Sequence, residues 1–326
     1  MLPPTPDVYV RLAAFLSTGG LVAVPTETVY GLAANGLDAK ACDKIFAVKQ
    51  RPANDPLILH LHDRAQIDQL AQAPDCLDAI AEAFWPGPLT IVLQRRPIVP
   101  DRVTSGGDTV ALRIPTHPVM RELLKACDFP LAAPSANPFG YISPTRAEHV
   151  QDSLGGKIRY ILDGGPCSIG LESTILDLSD PERPCILRPG KIHKTEIEAV
   201  LGCPVTQNKT PVNSAQKAKA PGMLSRHYSP RKPLTLFREV PPLALREDPE
   251  VGFIFISATH PQRSDVAGPS WSLSESGDLD EAGQNLFHCL RAADTSSARE
   301  IFAELPADPA AATALSDRLQ RAAARF

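Results

Sequence analysis

Apolar residues in this chain fall into short runs, with stretches of helical spacing between them. Runs of strand length occur at 21–24, 57–61, 89–93, 110–114, 131–133, 160–162 and 174–178. Helical spacing occupies 39–48, 77–84, 118–127 and 145–154, and an opening helix is expected over 7–18. There Asp7 is the expected cap, Val8, Leu12, Phe15 and Leu16 share a face, and Gly19-Gly20 stop the helix. Such alternation predicts an α/β or α+β domain with a mixed sheet. The pattern stops after Leu201, and residues 207–232 have neither period. A second, smaller α/β pattern follows, with strands at 234–237 and 251–256 and helices at 280–293, 298–305 and 310–326.

Composition changes this picture in two places. Proline is the outlier, 33 of 326 residues, about double the usual share. Interior proline breaks helices, so a long helical bundle is disfavoured and many fixed turns are expected. The net charge is only −4, yet no acid occurs from Ala199 to Arg238, where Lys209, Lys217, Lys219, Arg226, Arg231, Lys232 and Arg238 are all basic. The overall mild acidity argues against a dedicated duplex-DNA binder. Seven scattered cysteines form no C-x-x-C pair, so they read as thiols of a reducing compartment. Nothing approaches a membrane-spanning apolar run, and Met1–Pro6 reads as no signal peptide, so a cytoplasmic protein with no membrane partner is expected.

Candidate chemistry concentrates in polar loops beside the strands. Pro25-Thr26-Glu27-Thr28-Val29-Tyr30-Gly31 follows the first strand, where α/β sheets place ligands, and reads equally as a solvated turn. Lys49 and Arg51 flank one residue on a loop stiffened by Pro52 and Pro56. They suit a polyphosphate, or they are an ordinary basic surface. His60 ends a strand and reads on its own as a core histidine. Ser135, Asn137 and Ser143 lie among small residues and offer hydrogen bonds; Ser143 with Pro144 also reads as a helix cap. Thr109 and Arg113 share one face of a strand, and such an arginine must find an anion or solvent. Glu172-Ser173-Thr174 and Arg188-Pro189-Gly190 are further candidates. P-loop, Rossmann, zincin and hydrolase-elbow motifs are absent.

Taken in order, PTETVYGL (25–32), KQRPANDPLILH (49–60), FWPGPLT (84–90), VALRIPTHP (110–118), APSAN (133–137) and ILRPG (186–190) resemble the YrdC-like family. The resemblance covers about residues 8–205. APGMLSRHYSP (220–230) is similar to the linker of the two-domain, adenylate-forming members. Lys-x-Arg with Ser-x-Asn marks the synthase form, while Leu171 departs from the polar residue more usual there. The resemblance implies a YrdC-like twisted mixed sheet with flanking helices over 1–206, a basic linker or lid over 207–232, and an accessory Rossmann-like α/β domain over 233–326.

The implied reaction joins ATP, L-threonine and bicarbonate into threonylcarbamoyl-AMP with release of diphosphate, the first step of a tRNA modification completed by other transfer enzymes. Direct tRNA binding is not required. Lys49 and Arg51 are then the catalytic cations holding the triphosphate. Asn54, Thr109, Ser135, Asn137, Ser143, Arg188 and Tyr228 complete the ATP site. Thr28, His60, Arg113, Ala133 and Ser173 hold threonine. Mg²⁺ is expected on the phosphates rather than in a protein cage. Arg226, His227 and Tyr228 belong to a strap expected to exclude water from the labile anhydride, or to a flexible tether. An RNA-binding module without turnover is the alternative, disfavoured because aromatic residues are only 6 %. The carbamoyl-transfer protein of hydrogenase maturation would need further domains and cysteine pairs.

Overall fold

Every strand alternates its side chains between two faces, and in the first part of the chain that alternation decides the whole layout. The computed structural model describes residues 1–208, 219–221, 227–239 and 241–324. It divides into two compact units: Met1–Phe139, Pro144–Cys167 and Glu172–Ser225 form the first, and Gly140–Ser143, Ser168–Leu171 and Arg226–Phe326 the second.

The first unit carries strands β1 (Val22–Val24), β2 (Gly31–Asn35), β3 (Ile58–His60), β4 (Leu89–Gln94), β5 (Thr109–Arg113), β6 (Leu131–Ala132), β7 (Tyr160–Ile161), β8 (Thr174–Asp177), β9 (Cys185–Arg188) and β10 (Thr206–Gln207). They form one mixed sheet in the order β10-β9-β8-β4-β5-β3-β6-β2-β1-β7. One face is apolar along its length: Leu32, Leu59, Ile91, Leu112 and Leu176 pack with Ile45 and Phe46 of the helix Ala39–Lys49, Ile80 of Leu77–Phe84 and Val150 of Ala147–Leu154. The opposite face splits. At the β6-β2-β1 end, Val22, Val24, Ala33 and Leu131 pack with Leu12 and Leu16 of the helix Pro6–Ser17 and Leu123 of Pro118–Ala126. At the β8-β4-β5-β3 end the same face holds only Ile58, Val92, Ala111, Ile175 and Leu187, with Ala220 of the linker among them. Polar candidates sit two residues along from these apolar ones, on that face.

The second unit has a parallel sheet, β11-β14-β12-β13, from β11 (Leu234–Phe237), β12 (Val251–Ser257), β13 (Ser270–Ser274) and β14 (Glu300–Glu304). Its core includes Phe237, Phe253, Phe255 and Phe302. The helix Leu279–Thr295 is capped by Asp278, which accepts from Glu281 N. Within this unit Tyr141 Oη donates to Asp294 Oδ2 at 2.7 Å, and Arg291 Nη2 donates to Ile142 O at 2.5 Å.

Several local expectations are corrected. The helix expected at 298–305 is instead strand β14, Glu300–Glu304, which is central, paired to β11 on one side and β12 on the other. Both ladders satisfy its backbone and Ile301, Phe302 and Ala303 are buried, which overrides a helix-favouring composition. The first helix begins at Pro6 after Thr5, with no side-chain cap, so Asp7 lies inside it. Ser143 is not the cap of the next helix, which starts at Ala147 after Arg146 without a side-chain cap; ahead of it Thr145 N donates to His149 Nδ1. Strands β2, β9, β10 and β13 and the helix Lys194–Leu201 lacked a distinct sequence signal.

Candidate active site

Lys49 and Arg51 are placed by a helix stop. Gln50 adopts φ 54°, while Gln50 N donates to Ala47 O and Arg51 N to Phe46 O. This is the double hydrogen bond of a Schellman motif, made without glycine, and it turns the chain between the two cations. Lys49 Nζ donates to Ser135 O and Asn137 O, both at 2.6 Å, so the Lys49 side chain lies against the 135–137 segment. That segment is locked to β2: Leu32 N donates to Pro134 O and Ala136 N to Tyr30 O. Gly31 makes the approach possible, because a Cβ there would lie 3.1 Å from Ala133 Cβ. Arg51 is braced by Asp55 Oδ2 at 2.8 Å and donates to Asp55 O and Pro56 O. Burial, and then the neighbouring Arg51 charge, hold the Lys49 ammonium well below its ordinary pKa.

A second cluster forms around Arg113. Its Nε donates to Gly87 O at 3.2 Å, Nη1 to Thr28 Oγ1 at 2.9 Å, and Nη2 lies 2.6 Å from Glu27 Oε1. Thr26 Oγ1 donates to Val29 O at 2.7 Å, accepts from Thr28 N and Val29 N at 3.1 Å, and lies 2.9 Å from Thr28 Oγ1. Thr28 Oγ1 is thus held between Thr26 Oγ1 and Arg113 Nη1, from which it accepts. His60 faces Arg113 across the β3–β5 ladder. Burial, with Arg113 adding to it, pushes the imidazole down to about 3, so it is neutral at neutral pH. Protonation of His60 is thus disfavoured by folding. Its contribution to stability is complete above the unfolded value near 6.5 and is lost as pH falls toward 3. His60→Asn is expected to flatten the acid limb of a urea-stability curve by roughly 1.4 kcal/mol per pH unit in that window.

The third cluster joins Ser173 to Arg188. Ser173 Oγ lies 2.7 Å from Thr90 Oγ1, and Arg188 donates through Nη2 to Ser173 Oγ and through Nε to Ser173 O. Arg188 Nη1 also donates to Pro221 O at 3.3 Å, and Lys219 pairs with Asp177 at 3.0 Å, so residues 219–221 lie along the site face. Gly190 allows this, since a Cβ there would fall 2.3 Å from Thr174 N and 2.7 Å from Ser173 C. Gly190→Ala is expected to cost about 1–3 kcal/mol or more in chemical denaturation and to displace Ser173.

The structure thus brings together Lys49 with Ser135 and Asn137, Thr28 with Arg113 and His60, and Ser173 with Arg188. Ala133 N donates to Ile58 O, beside His60. Asn54 lies in the Arg51–Pro56 turn, and Thr109 begins β5 on the Arg113 face, half-buried. Ser143 and Tyr228 belong to the second unit. Tyr228, at φ 65°, packs with Phe287 at 5.3 Å and lies under Arg318 at 5.4 Å. Arg226 and most of the expected strap lie outside the described residues. Glu27 received no role from the sequence, although an arginine on a buried strand face demands an anion.

Known proteins are similar to this chain in sequence and fold. The family model described as Telomere recombination (Sua5/YciO/YrdC) matches residues 14–190, and that of the threonylcarbamoyl-AMP synthase C-terminal domain matches 192–324. A threonylcarbamoyl-AMP synthase of Pyrococcus abyssi is 40 % identical over 319 residues, 96 % of this chain and 93 % of that protein. One from Bacillus subtilis is 39 % identical over 320 residues, 96 % and 92 % of the two chains. The crystal structure of P. abyssi Sua5 complexed with L-threonine superposes with a TM-score of 0.88 at 39 % identity, covering 97 % of this chain and 94 % of that one. The chain belongs to the Sua5/YciO/YrdC family, among members that carry the threonylcarbamoyl-AMP synthase C-terminal domain.

Proposed function

We propose that this chain is a nucleotidyltransferase that makes L-threonylcarbamoyl-AMP from ATP, L-threonine and bicarbonate, releasing diphosphate and water. The observation that carries this is a pair of buried cations, Lys49 held against the 135–137 segment and Arg51 braced by Asp55, together with a buried arginine–hydroxyl cluster around Arg113. The relatives' names and the threonine-bound structure support the same chemistry.

Threonine's ammonium gives up a proton to solvent, and the resulting amine condenses with bicarbonate to a carbamate, losing water. A carbamate oxygen then attacks the α-phosphorus, and diphosphate leaves. Negative charge grows on the phosphoryl oxygens and the leaving group, so fixed cations there lower the barrier. Lys49 and Arg51 take that role, with Asn54, Thr109, Ser135, Asn137 and Arg188 toward the nucleotide. Thr28, His60, Arg113, Ala133 and Ser173 hold threonine, with Arg113 toward its carboxylate. The expected nucleotide roles of Ser143 and Tyr228 stand within the proposal. The donor set at the Lys49 end is two cations and backbone carbonyls, and its acid, Asp55, is committed to Arg51. This suits a polyphosphate whose Mg²⁺ rides on the phosphates, where it supplies further charge neutralisation. The position of residues 219–221 supports the linker as a cover that excludes water from the anhydride. The product, made in the cytoplasm, would pass to tRNA threonylcarbamoyl-transfer enzymes.

The test is diphosphate release from ATP, with threonine and bicarbonate omitted in turn. Release that needs both supports the proposal, and release indifferent to threonine overturns it.

A further inference from the structure

Glu27 lies next to Thr28 in sequence, yet its chemistry is that of neither a hydroxyl nor a cation. Its side chain is 2 % exposed against 3 % for Arg113. Burial pushes the carboxyl pKa up, but the Arg113 charge and hydrogen bond, with the Glu27 and Thr116 backbone, outweigh it and hold the group below its ordinary value. Glu27 is therefore ionised. Three titratable groups that feel it are uncharged. Burial keeps His60 and His117 low and the Cys167 thiol high.

The charges of Glu27 and Arg113 cancel, so this end of the site is buried and electrically neutral. Two of the five Arg113 N–H groups are taken, by Gly87 O and Thr28 Oγ1, and Nη2 is paired in charge with Glu27 at 2.6 Å, so both terminal nitrogens keep N–H capacity for a ligand carboxylate. Beside them the Thr28 hydroxyl is a further polar partner for a ligand. A carboxylate arriving alone would leave an uncompensated buried charge, whereas a zwitterion brings its own balance.

We propose that Glu27 is a specificity-determining residue: by neutralising Arg113 it makes the threonine end accept a zwitterionic amino acid and reject carboxylates that lack an ammonium. This rests on the reading of Arg113 as the carboxylate partner. Discrimination then comes from a repulsive element as much as from an attractive one.

The test uses the full chain, with 3-hydroxybutanoate, which is threonine without its ammonium, as a competitor. In the unaltered protein its Ki is expected to exceed the threonine KM by at least about tenfold. Glu27→Gln should narrow that gap by at least about tenfold, raising the threonine KM and lowering the competitor's Ki, with the ATP KM unchanged. Glu27→Asp, which keeps the charge, should preserve the gap. A gap unchanged in Glu27→Gln overturns the proposal, as does a rise of the ATP KM in step with that for threonine. Should Glu27→Gln not fold, the unaltered protein still decides: 3-hydroxybutanoate binding within about threefold of threonine overturns it. Arg113→Lys separates the two readings. An unchanged threonine KM there removes the Arg113 reading itself, while a raised one beside an unchanged Glu27→Gln gap removes only the role of Glu27.

Discussion

Lys49→Met is expected to lower kcat/KM for ATP by about 10²–10³, the usual effect of removing one preorganised charge from a transition state. The Lys49 ammonium is held by two carbonyls in a nearly water-free position, so it needs no reorganisation when phosphoryl charge develops. Its lowered pKa has a second consequence. An arriving polyphosphate favours the charged form, so nucleotide binding and protonation of Lys49 are linked. The alkaline limb of kcat/KM for ATP should therefore begin below the range of an ordinary lysine, and Lys49→Met should remove it. Threonine binding, measured by calorimetry without nucleotide, should stay within about threefold. Joint loss of both affinities would instead mark Lys49 as a strut for the 135–137 segment. Lys49→Arg is not expected to rescue turnover, because a planar fork does not replace a point charge in this packed position.

Arg113→Met is expected to have two separable effects. Threonine-dependent turnover should fall by at least about 10², since the buried guanidinium is the candidate partner of the threonine carboxylate. Stability should fall by about 3–5 kcal/mol, because Glu27 is left buried without its counter-ion. The double variant Glu27→Gln/Arg113→Met removes both charges and should recover most of that stability in urea denaturation, with turnover still absent. If the double variant regains turnover as well, Arg113 acts only through folding. If the single variant loses no stability, the Glu27–Arg113 pair is not the buried ion pair described above.

Much of the fold was legible because it follows from alternation. The runs at 57–61, 89–93, 110–114 and 174–178 match β3, β4, β5 and β8 to within one residue at each end, and these strands carry the polar face. Short strands lacked a sufficient pattern: β2 spans Gly31–Asn35, five residues that directly follow the PTETVY loop. The helix expected at 298–305 failed because pairing on both sides of β14 outweighed local preference.

Site chemistry was legible where a residue type is costly to bury. Lys49, Arg51 and Arg113 could be singled out because a cation on an apolar surface needs a reason. Their partners could not, because the chain brings Ser135 to Lys49 and Glu27 to Arg113 only through sheet order. Arg188 shows the same limit: its contacts with Ser173 and Pro221 had no signal in the sequence. The proline excess gains a physical location as well. Pro52 and Pro56 flank the turn that braces Arg51, and the carbonyls of Pro56, Pro134 and Pro221 each accept a hydrogen bond in the site framework.

The central claim is that a carbamate oxygen attacks the α-phosphorus. The most direct measurement supplies ¹⁸O-labelled bicarbonate with ATP and threonine and follows the label into AMP released when the product breaks down at its carbonyl carbon. The account predicts AMP carrying one ¹⁸O, present only when threonine is supplied. Unlabelled AMP formed at the same rate as diphosphate would contradict it.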